Sequence, residues 1–122
     1  MRPLKRILVV DDEEKIRQIL KEWLELNKYE VLTAANGLEA VGLVNVQPVD
    51  LVLLDVVMPE MDGWQVLRRL KSQEATRSIP VIMLTAKGDA AALLSAQSLG
   101  ATDHVIKPFQ ADELLTVIRR SM

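Results

Sequence analysis

Short apolar runs alternate with stretches of helical periodicity along the whole chain. Five runs of β-branched and aliphatic residues predict strands at 7–10, 31–34, 51–54, 81–84 and 104–106. Apolar residues that recur at spacings of three and four predict helices over 13–27, 38–46, 64–71, 89–99 and 111–120. In the first of these helices, the predicted buried stripe consists of Ile16, Ile19, Leu20, Trp23 and Leu24.

This alternation predicts the fold class. Strands that alternate with helices form parallel sheets through right-handed crossovers, so we expect an α/β fold with helices on both faces of a five-stranded sheet. Burial on both faces explains why the strands are continuous apolar runs. The run at 51–54 is the most apolar, which places it centrally. We predict a single doubly wound domain over residues 1–122, with no output domain.

Composition narrows the class of function. The 122 residues include no cysteine, which excludes a disulfide framework, thiol catalysis and Cys-based metal sites. His104 is the only histidine, which argues against a His-rich metal site. A net charge of −2 argues against direct nucleic-acid binding. No apolar run is long enough for a membrane span or a signal peptide, so we expect a cytoplasmic protein without a membrane partner.

Polar or small residues follow four of the predicted strands. In chain order they are Asp11 and Asp12, then Asp55, then Thr85 and Ala86, and finally Lys107 and Pro108. Each has a structural interpretation by itself, such as a helix cap at Asp11 and Asp12. However, the carboxyl ends of parallel strands meet at one edge of the sheet, where open α/β sheets bind ligands. The coincidence at four strand ends therefore favours a common site.

The chemistry of these residues indicates a cation and a phosphoryl group. Three carboxylates repel one another, and one ammonium does not compensate them. Oxygen ligands without cysteine or histidine favour Mg²⁺ or Mn²⁺. Lys107, the Thr85 hydroxyl and the Ala86 N–H are suitable partners for phosphoryl oxygens. Asp55 ends the central strand and is the best candidate for a nucleophile that forms an aspartyl phosphate.

Four longer segments identify a family. They are Ile-Leu-Val-Val-Asp-Asp-Glu at 7–13, Asp-Val-Val-Met-Pro-Glu-Met-Asp-Gly at 55–63, Pro-Val-Ile-Met-Leu-Thr-Ala at 80–86 and Gly-Ala-Thr-Asp-His-Val-Ile-Lys-Pro-Phe at 100–109. In this order and spacing they resemble the CheY-like receiver domain of bacterial two-component response regulators, over essentially the whole chain. The resemblance implies a flavodoxin-like fold with strand order 2-1-3-4-5.

The resemblance also implies a role for each acidic residue. Asp55 would accept a phosphoryl group from a phosphohistidine of a sensor histidine kinase or a phosphotransfer protein. Asp12 and Asp55 would bind Mg²⁺ directly, and Asp11 mostly through water. The backbone carbonyl of Val57 would be a further ligand. Asp62 and Gly63 are interpreted as turn residues, not as ligands.

The remaining site residues would respond to the phosphoryl group. The resemblance implies that Thr85 moves toward it, that the Ala86 N–H donates to it and that Lys107 pairs with it. It also implies a cis bond between Lys107 and Pro108. His104 stands where the family often has an aromatic switch residue. Two interpretations of it stay open, namely a solvated side chain on an edge strand and a switch residue that couples to pH.

The implied output surface consists of the predicted helix at 89–99, the fifth strand and the last helix. Residues 90–102 carry no charge, which suits packing against an output domain, a target protein or a second copy of the chain. A charged residue at Leu93 or Leu94 is expected to impair partner recognition without affecting phosphorylation. Val57 and Lys87, which flank the site, lead us to expect slow autodephosphorylation.

The candidate site residues fit three functions to different degrees. The first is a phosphorylation-activated signalling switch, which is not an enzyme beyond its own phosphorylation and dephosphorylation. The second is a pseudo-receiver that is never phosphorylated and acts as an interaction module; the full set of acidic, hydroxyl and lysine residues argues against it. The third is a phosphatase of the haloacid dehalogenase type, which needs an acid two residues after the nucleophile, where Val57 stands. The sequence names neither the kinase, the pathway nor the output, and leaves the oligomeric state and the length of the natural regulator open.

Overall fold

A computed structural model describes residues 3–86 and 99–122 of the chain. In chain order the elements are β1 (Arg6–Val10), α1 (Glu14–Leu26), β2 (Glu30–Ala34), α2 (Gly37–Val46), β3 (Leu51–Asp55), α3 (Gly63–Lys71), β4 (Val81–Ala86), β5 (Asp103–Lys107) and the C-terminal helix (Ala111–Ser121). All strand pairs are parallel, and the order is β2-β1-β3-β4-β5. The predicted fold class and strand order are confirmed. The predicted helix at 89–99 lies outside the described residues, apart from Leu99.

The sheet separates two apolar cores. Successive side chains of a strand point to opposite faces, so Leu8 and Val10 pack with α2 and α3, whereas Ile7 and Val9 pack with α1 and the C-terminal helix. All five residues of β3 are buried, as expected for the central strand. The polar residues that end the strands therefore sit at the rim of a sheet that has an apolar core on each face.

Two helix faces differ from the prediction. Ile19 of α1 and Leu38 of α2 are each 64% exposed, although both belong to the apolar spacings that predict these helices. On α1 the fully packed residues are Leu20 and Leu24. At 100° per residue, Ile19 lies about 120° from the direction midway between those two, which is beyond the face that one helix presents to a sheet. The apolar stripe in the sequence is thus wider than the buried surface.

Residues after α1 form a tight C-terminal cap. The Tyr29 N–H donates to the Leu24 carbonyl at 3.1 Å, and the Lys28 N–H donates to the Glu25 carbonyl at 3.1 Å. These two bonds define a Schellman motif, which requires a left-handed residue after the helix. Lys28 occupies that position with φ of 72°. A side chain with a Cβ is strained there, whereas glycine is not.

Replacement of Lys28 by glycine is expected to stabilise the domain. The free energy of unfolding should rise by about 1 kcal/mol because the left-handed conformation no longer carries the Cβ penalty. Urea denaturation of Lys28→Gly and Lys28→Ala measures the effect, since alanine removes the charge but keeps the Cβ. Equal stabilities of the two variants would contradict the role of the backbone conformation.

Within the described part of the chain, none of the helices combines the length and apolarity that crossing a bilayer requires.

Candidate functional site

Three carboxylates meet at the carboxyl edge of the sheet. Asp55 is the last residue of β3, and Asp11 and Asp12 follow β1 directly. Asp11 is fully buried, Asp55 is 6% exposed and Asp12 is exposed. One carboxylate oxygen from each lies within 4.8 Å of the others. The structure thus brings together the three acidic residues that the sequence placed at this edge.

Lys107 joins two of these carboxylates. Its Nζ lies 3.1 Å from Asp55 Oδ1 and 3.2 Å from Asp11 Oδ2, and it donates a hydrogen bond to each. Lys107 ends β5, and the peptide bond to Pro108 is cis, as the resemblance implied. The ammonium therefore reaches from the edge strand across β4 to the ends of β3 and β1. It supplies one positive charge against three negative ones.

Asp11 is held at each of its polar atoms. Its N–H donates to the Ala34 carbonyl at 3.2 Å, and its carbonyl accepts from Arg17 Nη1 at 2.7 Å. Its Oδ1 accepts from the Glu13 N–H at 2.9 Å, while Oδ2 accepts from Lys107. Both carboxylate oxygens thus already have a protein donor. Asp12 is exposed, so its carboxylate is the most accessible of the three to a cation.

The electrostatics of the site make ionisation of Asp55 unfavourable. Burial raises the pKa of Asp55, and the neighbouring Asp11 raises this pKa further, while Lys107 and a hydrogen bond from the Val57 backbone lower it. The balance is a raised pKa. Burial alone would lower the pKa of Lys107, but the attraction of Asp55 and Asp11 outweighs it and raises that pKa. Lys107 is therefore charged, and the site still has a deficit of positive charge.

A divalent cation fits this donor set. The site offers only oxygen ligands, and its negative charge is compensated in part by one ammonium. Mg²⁺ binds through a small number of carboxylates and keeps several waters, which suits one exposed and one buried aspartate at a cleft rim. The acidic pocket is therefore compatible with Mg²⁺, the cation that the resemblance implied.

Thr85 lies in β4 directly after Leu84, the residue that pairs with Asp55. Its side chain is buried, and its Oγ1 has no hydrogen-bond partner within the residues that the structure describes. A buried hydroxyl without a partner is costly, so it is a ready donor for an incoming oxygen. Ala86, the last residue of β4, is exposed, so its backbone also lies at this edge. Val57 follows Asp55 by two residues, and its side chain is 72% exposed.

His104 lies on β5, which is the edge strand of the described sheet. Its side chain is 38% exposed, and Nδ1 is 3.9 Å from Asp103 Oδ1. Both interpretations of His104, as a solvated side chain or as a switch residue, stay predictions. Lys87, Leu93 and Leu94 lie outside the described residues, and so do the expectations that rest on them.

The loop after Asp55 is anchored by the start of α3. Asp62 and Gln65 form a reciprocal capping box, which explains Asp62 as a helix cap. Gly63 donates its N–H to the Val56 carbonyl at 2.9 Å. A Cβ on Gly63 would lie 2.3 Å from the Asp55 carbonyl oxygen and 2.8 Å from the Val56 Cα. The helix thus packs directly on the backbone that carries Asp55.

The sequence does not identify Gly63 and Arg17 as parts of the site. The Asp62-Gly63 pair predicts a turn but gives no sign of what the Gly63 backbone approaches. The partner of Arg17 is a backbone carbonyl six residues earlier, which has no sequence signature. The sequence contains one sign of the role of Gly63. This glycine directly follows a helix-capping residue and comes shortly after the candidate nucleophile Asp55.

Comparisons with known proteins agree with this geometry. The sequence model of a family described as response regulator receiver domain matches residues 7–119. A probable transcriptional regulator, ycf27, of Cyanophora paradoxa is 48% identical over 115 residues, which cover 94% of this chain and 47% of the relative. The transcriptional regulatory protein SrrA of Staphylococcus aureus is 41% identical over 113 residues, covering 93% and 46%. The chain thus spans about half the length of these curated relatives.

A solved structure shows the same architecture over the whole domain. The chemotaxis protein CheY4 of Vibrio cholerae superposes with a TM-score of 0.92 at 32% identity and covers 98% of this chain and 99% of its own. The fold, the acidic pocket at the end of the central strand and the family match all agree. The chain therefore belongs to the response regulator receiver domain family of two-component signalling.

Proposed function

We propose that the chain is a phosphorylation-activated switch whose phosphoacceptor is Asp55. The observation that carries this proposal is the position of the Asp55 carboxylate, which ends the central strand between two other aspartates and the Lys107 ammonium. Thr85 adds a buried hydroxyl that lacks a partner among the described residues. These groups supply a nucleophile, cation ligands and donors for phosphoryl oxygens at one point of the sheet.

The chemical step is a phosphoryl transfer from a phosphohistidine to Asp55. An oxygen of the ionised carboxylate forms a bond to phosphorus, and the bond between phosphorus and the imidazole nitrogen breaks. The electron pair of that bond stays on the imidazole, which then takes up a proton. Asp12, Asp55 and the Val57 carbonyl would hold Mg²⁺, which would supply positive charge for the phosphoryl oxygens.

The protein's own residues prepare this step. Lys107 favours the ionised form of Asp55 against burial and the repulsion of Asp11, and it orients Oδ1 because it donates to that oxygen at 3.1 Å. Asp11 Oδ2 accepts a second hydrogen bond from the Lys107 ammonium and so helps to hold it in place. After transfer, Lys107 would pair with the new phosphoryl oxygens, and the Thr85 hydroxyl and the Ala86 N–H would donate to them. Movement of Thr85 toward the phosphoryl group would then alter the far end of the domain.

The partners follow from this role. The donor would be a sensor histidine kinase or a phosphotransfer protein. The output surface would include β5 and the C-terminal helix, together with residues outside the described ranges. Curated relatives of about twice this length are called transcriptional regulators, so an output unit that controls transcription is the favoured target. Control by the receiver needs no direct contact between this domain and nucleic acid.

The test is the intact mass of the protein after incubation with acetyl phosphate, with Mg²⁺ and with a chelator. One added phosphoryl group that requires Mg²⁺ and maps to the peptide containing Asp55 is the expected result. Asp62→Asn serves as a matched control, because asparagine caps a helix as well as aspartate and the variant should be phosphorylated normally. No addition to the folded, Mg²⁺-bound protein from either acetyl phosphate or a histidine kinase would favour a pseudo-receiver.

A further inference from the structure

Arg17 makes two contacts with the segment that carries Asp12. Its guanidinium Nη1 donates to the Asp11 carbonyl at 2.7 Å, and its backbone N–H donates to the Glu13 carbonyl at 3.1 Å. These two carbonyls belong to the residues on either side of Asp12. One residue of α1 therefore holds both ends of the short segment on which the exposed aspartate sits.

The contacts of Asp11 show why this matters for Asp12. The Asp11 side chain is fully engaged by Glu13 and Lys107. Asp12 itself is exposed, and its carboxylate gains no support from burial. Its direction is thus set by the backbone on either side. The Arg17 N–H bond to Glu13 is a backbone bond that any residue at this position can make, so the bond from the guanidinium to the Asp11 carbonyl is the contact that depends on the arginine side chain.

From this geometry we propose that Arg17 is a positioning residue for the cation site, which acts by fixing the backbone around Asp12. The inference rests on the proposed Mg²⁺-dependent switch. Arg17 would not touch Mg²⁺ or the phosphoryl group. Residues that orient metal ligands from behind contribute strongly to metal affinity, because an unsupported ligand must be ordered when the metal binds.

The direction of the change in Mg²⁺ affinity distinguishes a positioning role of Arg17 from a purely electrostatic one. The Arg17 guanidinium is a positive charge close to a site for a divalent cation. If Arg17 acted only through its charge, removal of that charge would strengthen Mg²⁺ binding. If it acts by holding the Asp12 backbone, removal weakens Mg²⁺ binding. The two roles therefore predict opposite changes in one measured quantity.

The experiment is a calorimetric titration of the full chain with Mg²⁺ for the wild type, Arg17→Met and Lys21→Met. Lys21 lies one turn further along α1, is exposed and lines the same surface groove, so its variant loses the same charge without losing a contact to the Asp12 segment. We expect Arg17→Met to bind Mg²⁺ about tenfold more weakly and Lys21→Met to bind as the wild type does. The melting temperature without Mg²⁺ provides a check that both variants are folded.

A second readout distinguishes this role from a general loss of structure. At saturating Mg²⁺, the rate of phosphorylation of Arg17→Met by acetyl phosphate is expected to return close to that of the wild type. If Arg17→Met does not fold, Arg17→Lys replaces it; this variant keeps the charge and the aliphatic stem but not the guanidinium geometry, and weaker Mg²⁺ binding is again expected.

Unchanged or tighter Mg²⁺ binding by the Arg17 variants would overturn the inference, while leaving the proposed function intact. Failure of the wild type itself to bind Mg²⁺ would instead contradict the proposed function. The titration of the wild type therefore separates the two failures.

Discussion

Replacement of Asp55 by asparagine is expected to abolish phosphorylation and, in the absence of Mg²⁺, to raise the melting temperature. Phosphoryl transfer from acetyl phosphate should slow by on the order of 1000-fold or more, since the amide is not a nucleophile that can form the acyl phosphate. Intact mass spectrometry measures this loss. The Asp62→Asn control should keep the rate of the wild type, because Asp62 only caps α3.

The gain in stability follows from the raised pKa of Asp55. Burial, followed by repulsion from Asp11, disfavours the ionised form in the folded protein. The folded state therefore holds this proton more tightly than the unfolded state does. Below the ordinary pKa of 3.8 the carboxyl group is protonated in both states and has no effect on stability through ionisation. As pH rises through the raised pKa, the wild type loses stability that the asparagine variant keeps.

The pH dependence and Mg²⁺ make this stability prediction specific. At neutral pH the melting temperature of Asp55→Asn should exceed that of the wild type by several degrees, the scale that about 1 kcal/mol produces in a domain of this size. The difference should diminish as the pH falls toward the ordinary aspartate range, and added Mg²⁺ should stabilise the wild type more than the variant. An Asp55→Asn variant that melts below the wild type at neutral pH would show that the Lys107 ion pair outweighs burial and repulsion.

The second large effect is expected from Gly63→Ala. The added Cβ would meet the Asp55 carbonyl oxygen at 2.3 Å and the Val56 Cα at 2.8 Å, and both are backbone atoms that no rotamer change can move away. Either α3 or the end of β3 must shift. We expect a loss of about 3 kcal/mol in the free energy of unfolding, measured in urea, together with weaker Mg²⁺ binding because Asp55 is displaced.

Gly42→Ala is the matched control for this variant. Gly42 lies inside α2, and apart from the adjacent helix backbone a Cβ built on it would meet no atom of the described residues within 4 Å. Alanine favours the helix over glycine, so this variant should be more stable than the wild type by about 0.5–1 kcal/mol. Opposite signs for the same chemical change would establish that the space behind Asp55, and not helix propensity, decides the outcome. A Gly63→Ala variant as stable as the wild type would refute the close approach.

The sequence predicts the sheet well because the inner strands β1, β3 and β4 are almost fully buried and read as continuous apolar runs. The strongly apolar run at 51–54 indicates a central β3, and alternation with helices is enough for parallel pairing. The full strand order, however, came from the resemblance to receiver domains. Ile19 shows the limit of periodicity, since a stripe of apolar residues marks a helix face but not the width of the surface that covers it.

The candidate site was predictable to the extent that it is built from strand ends. Asp11, Asp55 and Lys107 end up together because parallel strands end at one edge, and topology alone brings them there. The supporting contacts were not predictable, since the partners are backbone atoms. Arg17 binds a carbonyl, and Gly63 makes room for one. Such partners are common to every residue and leave no mark in the sequence.

The two ion pairs of Lys107 also have a mechanical consequence for the sheet. β5 has a single neighbour in the strand order, β4, so its backbone ladder holds it from one side only. Edge strands open at a lower free energy than central strands, and the rates of amide hydrogen exchange report this difference. The Lys107 side chain crosses β4 and forms ion pairs with Asp55 at the end of β3 and with Asp11 directly after β1. These ion pairs connect the edge strand to the centre of the sheet. Whatever draws the ammonium away from Asp11 and Asp55 therefore also releases this edge strand from the centre of the sheet.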